Sequence, residues 1–365
     1  MPDLRSRPHL VHVFYSFGVG GSQVRLTALI NALGDRFSHT IVSLTGCVDA
    51  LPLIEPGVDV TVAAPLPPTR GPLARLAQYR RRLDALKPDL LLTYNWGGMD
   101  FSIANIGRST PHLHVEDGFG PEEIARQLQR RVLTRRLALF RSELVAPSGT
   151  LNDIATRMWK LDRRRVHWIP NGIAARDGWS TDLASLDLKL PAGLPIIAWV
   201  GALRPEKAPL RLLRAYAPVK DKAVLLIVGD GPERAEIEAE VHAGGCANVR
   251  LAGYRKDARD LIMQSDILAL SSDTEQMPLA VLEAMDAGLP VVSTDVGDVR
   301  RMVAPINAPF VCSDEPALAD ALSALVADPD LRRRIGEANR EKCRADYSLD
   351  GMIGAWQAQF DRLTA

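Results

Sequence analysis

The sequence has little cysteine, and the cysteines that it has are dispersed. Its 365 residues include four, none of them in a Cys-x-x-Cys pair. They are Cys47, Cys246, Cys312 and Cys343. Zinc sites and disulfide frameworks use cysteines at short, recurring spacings. The pattern therefore argues against both and fits a reducing compartment.

Net charge and long apolar runs are absent as well. The 44 Lys and Arg residues balance the 44 Asp and Glu residues, so composition gives no general reason to expect a nucleic-acid partner. No apolar run reaches the ~18 residues that span a bilayer, and Met1–Pro8 lacks the charged and then apolar layout of a signal peptide. We expect a cytoplasmic protein whose membrane contact is at most peripheral. The length favours two domains.

An acidic string in the second half is the most informative feature present. Leu268–Leu270 ends an apolar run typical of a strand, and Leu279–Ala287 consists of good helix formers, with Gly288 placed as a C-cap. Glu275 lies in the loop between them, and Glu283 lies in the helix. Such a loop follows the carboxyl end of a strand, where open α/β sheets bind ligands and a helix N-terminus attracts anions.

Two further strand ends in this half carry candidate ligand-binding groups. Pro195–Val200 predicts a strand, and Arg204 and Lys207 follow it. Cations at such a position suit a ligand on which negative charge develops. Val249–Ala252 predicts another strand, which leads to Tyr254.

A glycine-rich turn joins the first predicted strand, Leu10–Phe14, to the helix Val24–Leu33. Gly20 and Gly21 lie in this turn. Glycines let a ligand approach the backbone, and the arrangement suits a phosphate or a sugar. The Gly-x-Gly-x-x-Gly fingerprint is not met, so a dinucleotide site is weakly predicted. An ordinary tight turn is the alternative.

Residues 111–120 form the densest polar cluster of the first half. Their alternation predicts a strand followed by a loop, and two registers are open. If the strand ends at His114, that imidazole lies at the ligand edge. If it runs on through Val115, Asp117 takes the position. A structural, hydrogen-bonded role for these polar residues is the alternative.

These motifs together resemble the retaining glycosyltransferases of family 4, which have the GT-B fold. Glu275 and Glu283 are separated by seven residues and are followed by Ala-Met-x-x-Gly-x-Pro-Val-Val; Lys207 follows a Val-Gly strand end, and Asp117-Gly-Phe parallels the family's His-Gly-Phe. The resemblance implies an α/β protein with two Rossmann-like domains facing across a cleft. We expect an acceptor domain at 1–175, a nucleotide-sugar domain at 176–345, and a helix at 346–365 that crosses back to the first domain.

The resemblance also implies a reaction. A sugar would pass from a nucleotide diphosphate sugar to a hydroxyl of a glycan or lipid-linked acceptor, with retention, in bacterial cell-surface polysaccharide or glycolipid synthesis. The one Asp-x-Asp triplet, Asp328-Pro-Asp330, stands just before a predicted helix and is not assigned as a metal motif, so neither a metal nor another cofactor is expected. The implied catalytic residues are Asp117, His114 and Glu275. The implied donor-binding residues are Gly20, Gly21, Arg204, Lys207, Tyr254, Met277, Leu279 and Glu283.

Two departures from the family pattern leave other functions open. The usual Glu-Gly-Phe-Gly-Leu loop reads Glu-Gln-Met-Pro-Leu here, and Pro278 has no N–H to donate. Ala202 stands where relatives have an arginine, with Arg204 as a candidate substitute. A non-catalytic nucleotide-sugar-binding or scaffold protein is one alternative. A GT-B-fold sugar-nucleotide epimerase is another.

The stretch Arg126–Arg141 contains six arginines and no acidic residue, with apolar residues at roughly helical spacing. It predicts a basic amphipathic helix. One interpretation is peripheral contact with anionic lipid on the inner face of the plasma membrane. The alternative is a solvated helix whose apolar side packs in the core.

Overall fold

A computed structural model describes residues 7–119, 123 and 127–365 of the chain. By its internal contacts the chain divides into two units. One comprises Met1–Asn171 with Met352–Ala365, and the other comprises Gly172–Gly351. Both are α/β units built on a parallel sheet, which confirms the predicted fold class.

In the first unit, seven strands of described residues form one sheet in the order β3-β2-β1-β4-β5-β6-β7. They are β1 (His9–Phe14), β2 (Ser38–Ser43), β3 (Val60–Val62), β4 (Leu90–Tyr94), β5 (His112–Val115), β6 (Glu143–Ala146) and β7 (Val166–Trp168). The central strands are buried on both faces, as helix-covered parallel strands must be. Chain order reverses between β1 and β4, which makes their carboxyl ends the expected ligand edge.

In the second unit, six strands form a sheet in the order β10-β9-β8-β11-β12-β13 within the described part of the chain. They are β8 (Ile196–Val200), β9 (Val224–Val228), β10 (Val249–Gly253), β11 (Ile267–Leu270), β12 (Val291–Thr294) and β13 (Val311–Cys312). The order reverses between β8 and β11. Ile197, Trp199, Leu225 and Ile227 are fully or almost fully buried and anchor one core of this unit.

Helices connect the strands in both units. The first unit contains α1 (Gly21–Leu33), α2 (Pro72–Leu86), α3 (Met99–Ala104), α4 (Gln129–Ala138) and α5 (Gly149–Arg157). The second contains α6 (Pro209–Tyr216), α7 (Arg234–Ala243), α8 (Ala258–Met263), α9 (Leu279–Ala287), α10 (Val299–Met302), α11 (Glu315–Ala327) and α12 (Pro329–Asp346). A last helix, α13 (Leu349–Thr364), begins at the end of the second unit and contributes Met352–Ala365 to the first.

Candidate functional site

The carboxyl ends of β8 and β11 bring the predicted cations and the acidic loop of the second unit together. The two strands are direct neighbours in the sheet. Lys207 closes a short 3-10 turn, Pro205–Lys207, after β8, and Glu275 lies in the loop after β11. Because the strands are parallel, both loops emerge at the same edge, which is the switch point of this sheet.

Lys207 and Glu275 form an ion pair at that edge. The Lys207 ammonium donates to Glu275 Oε1 at 2.6 Å, and the Ser272 hydroxyl donates to the same oxygen at 2.8 Å. The carboxylate is mostly buried, whereas the lysine side chain keeps 29% of its surface exposed. A partly exposed cation thus lies against a fixed carboxylate and is accessible to an anionic ligand.

Arg204 and Ala208 flank this lysine. The Arg204 side chain is 62% exposed and lies 3.9 Å from Glu206, so it is free to reorient toward a ligand. Ala208 has a left-handed backbone (φ 44°, ψ 53°). This conformation strains a residue with a Cβ, and it directs the chain from the Lys207 turn into α6.

The acidic loop is buttressed from behind by a glycine turn. Gly297 has φ 54°, and a Cβ there would lie 2.5 Å from the carbonyl oxygen of Glu275. The next residue, Asp298, donates its backbone N–H to the carbonyl oxygen of Gln276 at 2.9 Å. Met277 is buried in the apolar core below. The loop therefore has a fixed backbone although it lacks the family's two glycines.

Helix α9 begins with Leu279 at the ligand edge. Pro278 is its N-cap residue and offers no N–H, so the first backbone donors are those of the turn that starts at Leu279. Gly288 ends the helix in the left-handed conformation (φ 75°, ψ 39°). The helix bounds and the glycine cap are as the sequence predicts.

Glu283 lies in the second turn of α9 and differs from Glu275. Burial raises the pKa of its carboxyl to about 7, although the charge of Arg259 favours the ionised form. Among the described residues, none forms a hydrogen bond or an ion pair with this carboxylate. Desolvation without a partner is costly for an acid, so this position suits a ligand that supplies hydrogen-bond donors.

The orientation of α9 is set by Asp286 at its end. Asp286 accepts hydrogen bonds from Arg259 Nη2 at 2.8 Å and Arg344 Nε at 3.2 Å, and from the backbone N–H of Arg176 at 3.0 Å. These bonds tie the helix to α8, to α12 and to the start of the unit. They fix the position of Glu283 although the Glu283 carboxylate forms none of them.

Tyr254 is the remaining candidate of the second unit. It follows Gly253, the left-handed last residue of β10 (φ 68°), and its side chain is 64% exposed. Since β10 is at the outer end of the sheet order, Tyr254 follows a strand that is separated from β8 by β9. Its role in donor binding stays a prediction.

In the first unit, Gly20 and Gly21 form the start of α1. Gly20 is the N-cap residue, and its backbone is extended (φ −165°, ψ 170°). Gln23 closes the turn, because its Nε2 donates to the carbonyl oxygen of Ser16 at 3.0 Å. A Cβ at Gly20 would lie 2.9 Å from Gln23 Oε1. Only the end of this flexible side chain lies near that position, and ligand contact at Gly20 stays a prediction.

Asp117 is held by an arginine that sequence reasoning missed. The Arg25 guanidinium donates to both Asp117 oxygens, at 2.6 and 2.8 Å, and to Asn171 Oδ1 at 3.0 Å. Asn95, which has a left-handed φ of 52°, accepts the Asp117 backbone N–H at 2.6 Å. A lone arginine among the apolar residues of α1 was the available signal.

His114 lies inside the sheet instead of at its edge. Strand β5 runs through Val115, which is the register that gives the edge position to Asp117. The His114 ring is fully buried; its Nδ1 is 2.8 Å from Thr93 Oγ1, and its Nε2 is 3.6 Å from Glu116 Oε2. Where it stands, this imidazole is closed off from any ligand.

The basic stretch also differs from its sequence-based interpretation. The helix is α4, Gln129–Ala138, and it is shorter than Arg126–Arg141; Arg126 lies outside the described residues. Arg135 is fully buried, and its Nη2 donates to Glu123 at 3.0 Å while its Nε donates to Glu116 at 3.3 Å. One of the arginines expected on a basic surface is thus a core residue, because two carboxylates from upstream pair with it.

Within the part of the chain that the structure describes, no helix is both long and apolar enough to cross a membrane. Over the same residues, no group of three or more His, Cys, Asp or Glu side chains is arranged to hold a metal ion.

Comparison with known proteins matches both units. Residues 194–328 match the family model of glycosyl transferases group 1, and residues 20–172 match that of glycosyl transferase 4-like domains. A 2-deoxystreptamine N-acetyl-D-glucosaminyltransferase of Streptomyces fradiae is 29% identical, with 91% of each chain covered. A lipopolysaccharide core biosynthesis glycosyltransferase of Rhizobium meliloti, LpsD, is 29% identical over 58% of this chain and 62% of its own.

Solved structures agree with these matches. HepE of Anabaena in complex with UDP gives a TM-score of 0.82 at 18% identity, covering 97% of this chain and 100% of that one. A sucrose-phosphate synthase of Thermosynechococcus elongatus gives 0.80 at 20% identity, covering 98% and 99%. At these identities the likeness establishes the fold.

Proposed function

The chain belongs to the group 1 glycosyltransferases of family 4, which have the GT-B fold, and from this premise we propose that it is a retaining, metal-independent transferase. It moves a sugar from a nucleotide diphosphate sugar to a hydroxyl of a glycan or lipid-linked acceptor. One observation carries the proposal: the Lys207–Glu275 pair, at 2.6 Å, at the switch point of the second sheet.

Each group at that edge has a distinct task. Lys207, with Arg204 beside it, stabilises the diphosphate as it leaves with negative charge, and the first turn of α9 adds backbone donors. These cations and donors take the place of a divalent ion. Glu275 positions the donor sugar. Glu283, which lacks a protein partner among the described residues, accepts the ribose hydroxyls.

Asp117 is the proposed group on the acceptor side. Arg25 occupies both of its oxygens, so Asp117 acts as a fixed, charge-compensated carboxylate near the reacting carbon and not as a mobile base. Retention then requires no covalent protein nucleophile. Gly20 and Gly21 let the donor approach the backbone.

The names of relatives suggest the donor and the setting. HepE was solved with UDP and with UDP-glucose, so UDP-sugars are the first donors to test. LpsD is named for lipopolysaccharide core biosynthesis, which supports a cell-surface glycan or glycolipid as the product. We place the reaction at the cytoplasmic face of the plasma membrane.

The exposed side of α4 supports peripheral contact with that membrane. Leu133 and Leu137 are 56% and 60% exposed, and Phe140 just beyond the helix is 52% exposed. Arg130 and Arg136 are exposed around them. Apolar side chains flanked by arginines suit an anionic lipid surface.

Donor binding and turnover test the proposal. The purified chain is titrated with UDP-, GDP-, dTDP- and ADP-sugars, with and without EDTA, beside Lys207→Ala and the exposed control Lys222→Ala. We expect one nucleotide class to bind and turn over regardless of EDTA, with a loss of roughly 10²–10³-fold in Lys207→Ala and none in the control. Binding without turnover, even with lipid acceptors present, would support a scaffold. An epimerised donor would support the epimerase.

A further inference from the structure

A cavity in the first unit lies at the edge of the sheet opposite Asp117. It is lined by polar and cationic residues of three loops and by one exposed aromatic side chain. The residues that bear on its chemistry are Asn105, Arg108, Phe140, Arg141, Ser142 and Arg165. Its volume is about 490 Å³, which is enough for a small phosphorylated group.

The cationic character follows from the topology. Arg108 precedes β5, Arg141 precedes β6 and Arg165 precedes β7, and these strands are consecutive in the sheet. Parallel strands start at one common edge, so the three arginines converge there. The exposed Arg163 and Arg164 lie in the same turn as Arg165. Carboxylates near this edge compensate only part of the charge.

The pairing of these arginines leaves capacity for an anion. Arg108 Nη2 donates to Asp84 at 2.6 Å, but its Nε is buried without a hydrogen-bond partner. Arg165 Nη1 donates to the carbonyl oxygen of Arg141 at 2.6 Å and lies 3.6 Å from Glu143. For Arg141, no carboxylate partner is found among the described residues; its guanidinium lies 5.2 Å from the Phe140 ring.

An unused acceptor belongs to a residue that lines the same cavity. Asn105 is 7% exposed, and its Nδ2 donates to the carbonyl oxygen of Thr110 at 3.0 Å. Its Oδ1 is buried without a hydrogen-bond partner. Buried polar atoms normally form hydrogen bonds, so this oxygen could accept one from a ligand. Arginines suit a phosphate, and a free amide oxygen suits a hydroxyl beside it.

We propose that this cavity binds the glycerophosphate headgroup of an anionic phospholipid, with the arginines on the phosphate and Asn105 on a glycerol hydroxyl. The occupant is a membrane lipid because Phe140, which lines the cavity, continues the exposed apolar row of Leu133 and Leu137. The inference rests on the proposed membrane contact of the transferase and makes it specific for one headgroup.

Vesicle partitioning tests the site. Full-length protein is co-sedimented with phosphatidylcholine vesicles that contain phosphatidylglycerol or phosphatidic acid at matched surface charge. Attraction by charge alone does not distinguish the two lipids, whereas a hydroxyl-binding site does. We expect a preference of roughly five-fold for phosphatidylglycerol, as one satisfied hydrogen bond allows.

Two pairs of arginine variants separate the cavity from the surrounding charge. Arg108→Ala with Arg141→Ala removes two of the three arginines of the cavity, and Arg163→Ala with Arg164→Ala removes equal charge from the exposed turn beside it. Both lower total partitioning, but only the cavity pair abolishes the preference between lipids. Asn105→Leu, checked for an unchanged melting temperature, abolishes the preference while total charge is kept.

Several results would overturn the inference. These are equal binding of both lipids by the wild type, loss of the preference in the exposed-turn pair, or tight binding of soluble glycerol phosphate without vesicle binding. Leu133→Ser with Leu137→Ser weakens binding of both lipids and keeps their ratio. Donor turnover in the same preparations remains at the wild-type level in all these variants, so failure of the transferase proposal is recorded separately.

Discussion

The two units keep their charged and titratable groups in different places. The first has six of the seven histidines, several of which lie inside the sheet, and it also buries Arg135 with Glu116 and Glu123. In the second, the strands of the sheet center are apolar, and the functional charges lie at the carboxyl edge. The stability of the first unit therefore depends on buried polar contacts, whereas the second unit has its functional charges at an edge that a ligand can reach.

The largest difference in stability between the two units should appear when the pH is lowered. Burial lowers the pKa of His39 to about 4 and that of His112 to about 3, and it also lowers the pKa of His12. Below pH ~6.5 the unfolded chain then binds more protons than the native one. The free energy of unfolding of the first unit therefore decreases as the pH is lowered. Between pH 6.5 and 5, His39 and His112 each cost the first unit roughly 2 kcal/mol, and His12 acts in the same direction.

The second unit responds in the opposite direction over this range, because the raised pKa of Glu283 makes its folded form bind the extra proton. Native-state hydrogen exchange, read peptide by peptide at pH 7 and pH 5, measures the two responses. Equal loss of protection in both units would contradict this account.

The next largest effect should come from the buried charge cluster of the first unit. Arg135→Met leaves Glu116 and Glu123 buried without their shared cation. Breaking such a group by removing one partner costs about 3–5 kcal/mol. Urea unfolding should show this loss, while the exposed Arg136→Ala changes stability by less than ~0.5 kcal/mol. Recovery on adding Glu116→Gln and Glu123→Gln would identify the unpaired charges as the cause.

Glu283→Gln should make the second unit more stable and should weaken its binding of the donor. The pKa of Glu283 in the folded chain is about 7, above the ordinary value of 4.5, so ionisation destabilises the fold by an amount that grows between these pH values. Above pH 7 the amide should stabilise the unit by on the order of 2–3 kcal/mol. Donor affinity of the wild type should fall about ten-fold per pH unit below 7, because the bound state needs the carboxylate.

Calorimetric titration of donor across pH, with melting curves of the variant, measures both effects. The exposed Glu337→Gln is the control and should change neither. An affinity that does not depend on pH would place the ribose elsewhere.

The smallest effect concerns Ala208. Its left-handed backbone costs a residue with a Cβ about 1–2 kcal/mol, and glycine relieves this at an entropic cost of roughly 0.5–1 kcal/mol. Ala208→Gly should therefore stabilise the second unit slightly, by less than ~1 kcal/mol. Ala239→Gly, in the exposed interior of α7, should instead destabilise it by about 1 kcal/mol. If the melting temperature rises in Ala208→Gly and falls in Ala239→Gly, the backbone of Ala208 is strained. If it changes in the same direction in both variants, Ala208 is not strained.

What the sequence could predict follows the same division. Helix α9 and its Gly288 cap were predictable because propensity, capping and the strand before them are all local. Arg25 was not, since its partner Asp117 lies 92 residues away along the chain. Arg135 was assigned to a surface for the same reason: a local charge pattern does not show that Glu116 and Glu123 fold back onto it. Local motifs mark a ligand edge well, and buried ion pairs only appear in three dimensions.

The most direct test of the central claim is to follow one bound donor by time-resolved proton NMR. With an α-linked nucleotide sugar, a retaining transferase releases or transfers the sugar first as its α-anomer, with EDTA present and with Lys207 intact. We predict an early α-anomeric signal that is lost in Lys207→Ala. An early β-anomeric signal would contradict retention, and a donor that binds but stays intact with every acceptor would contradict catalysis itself.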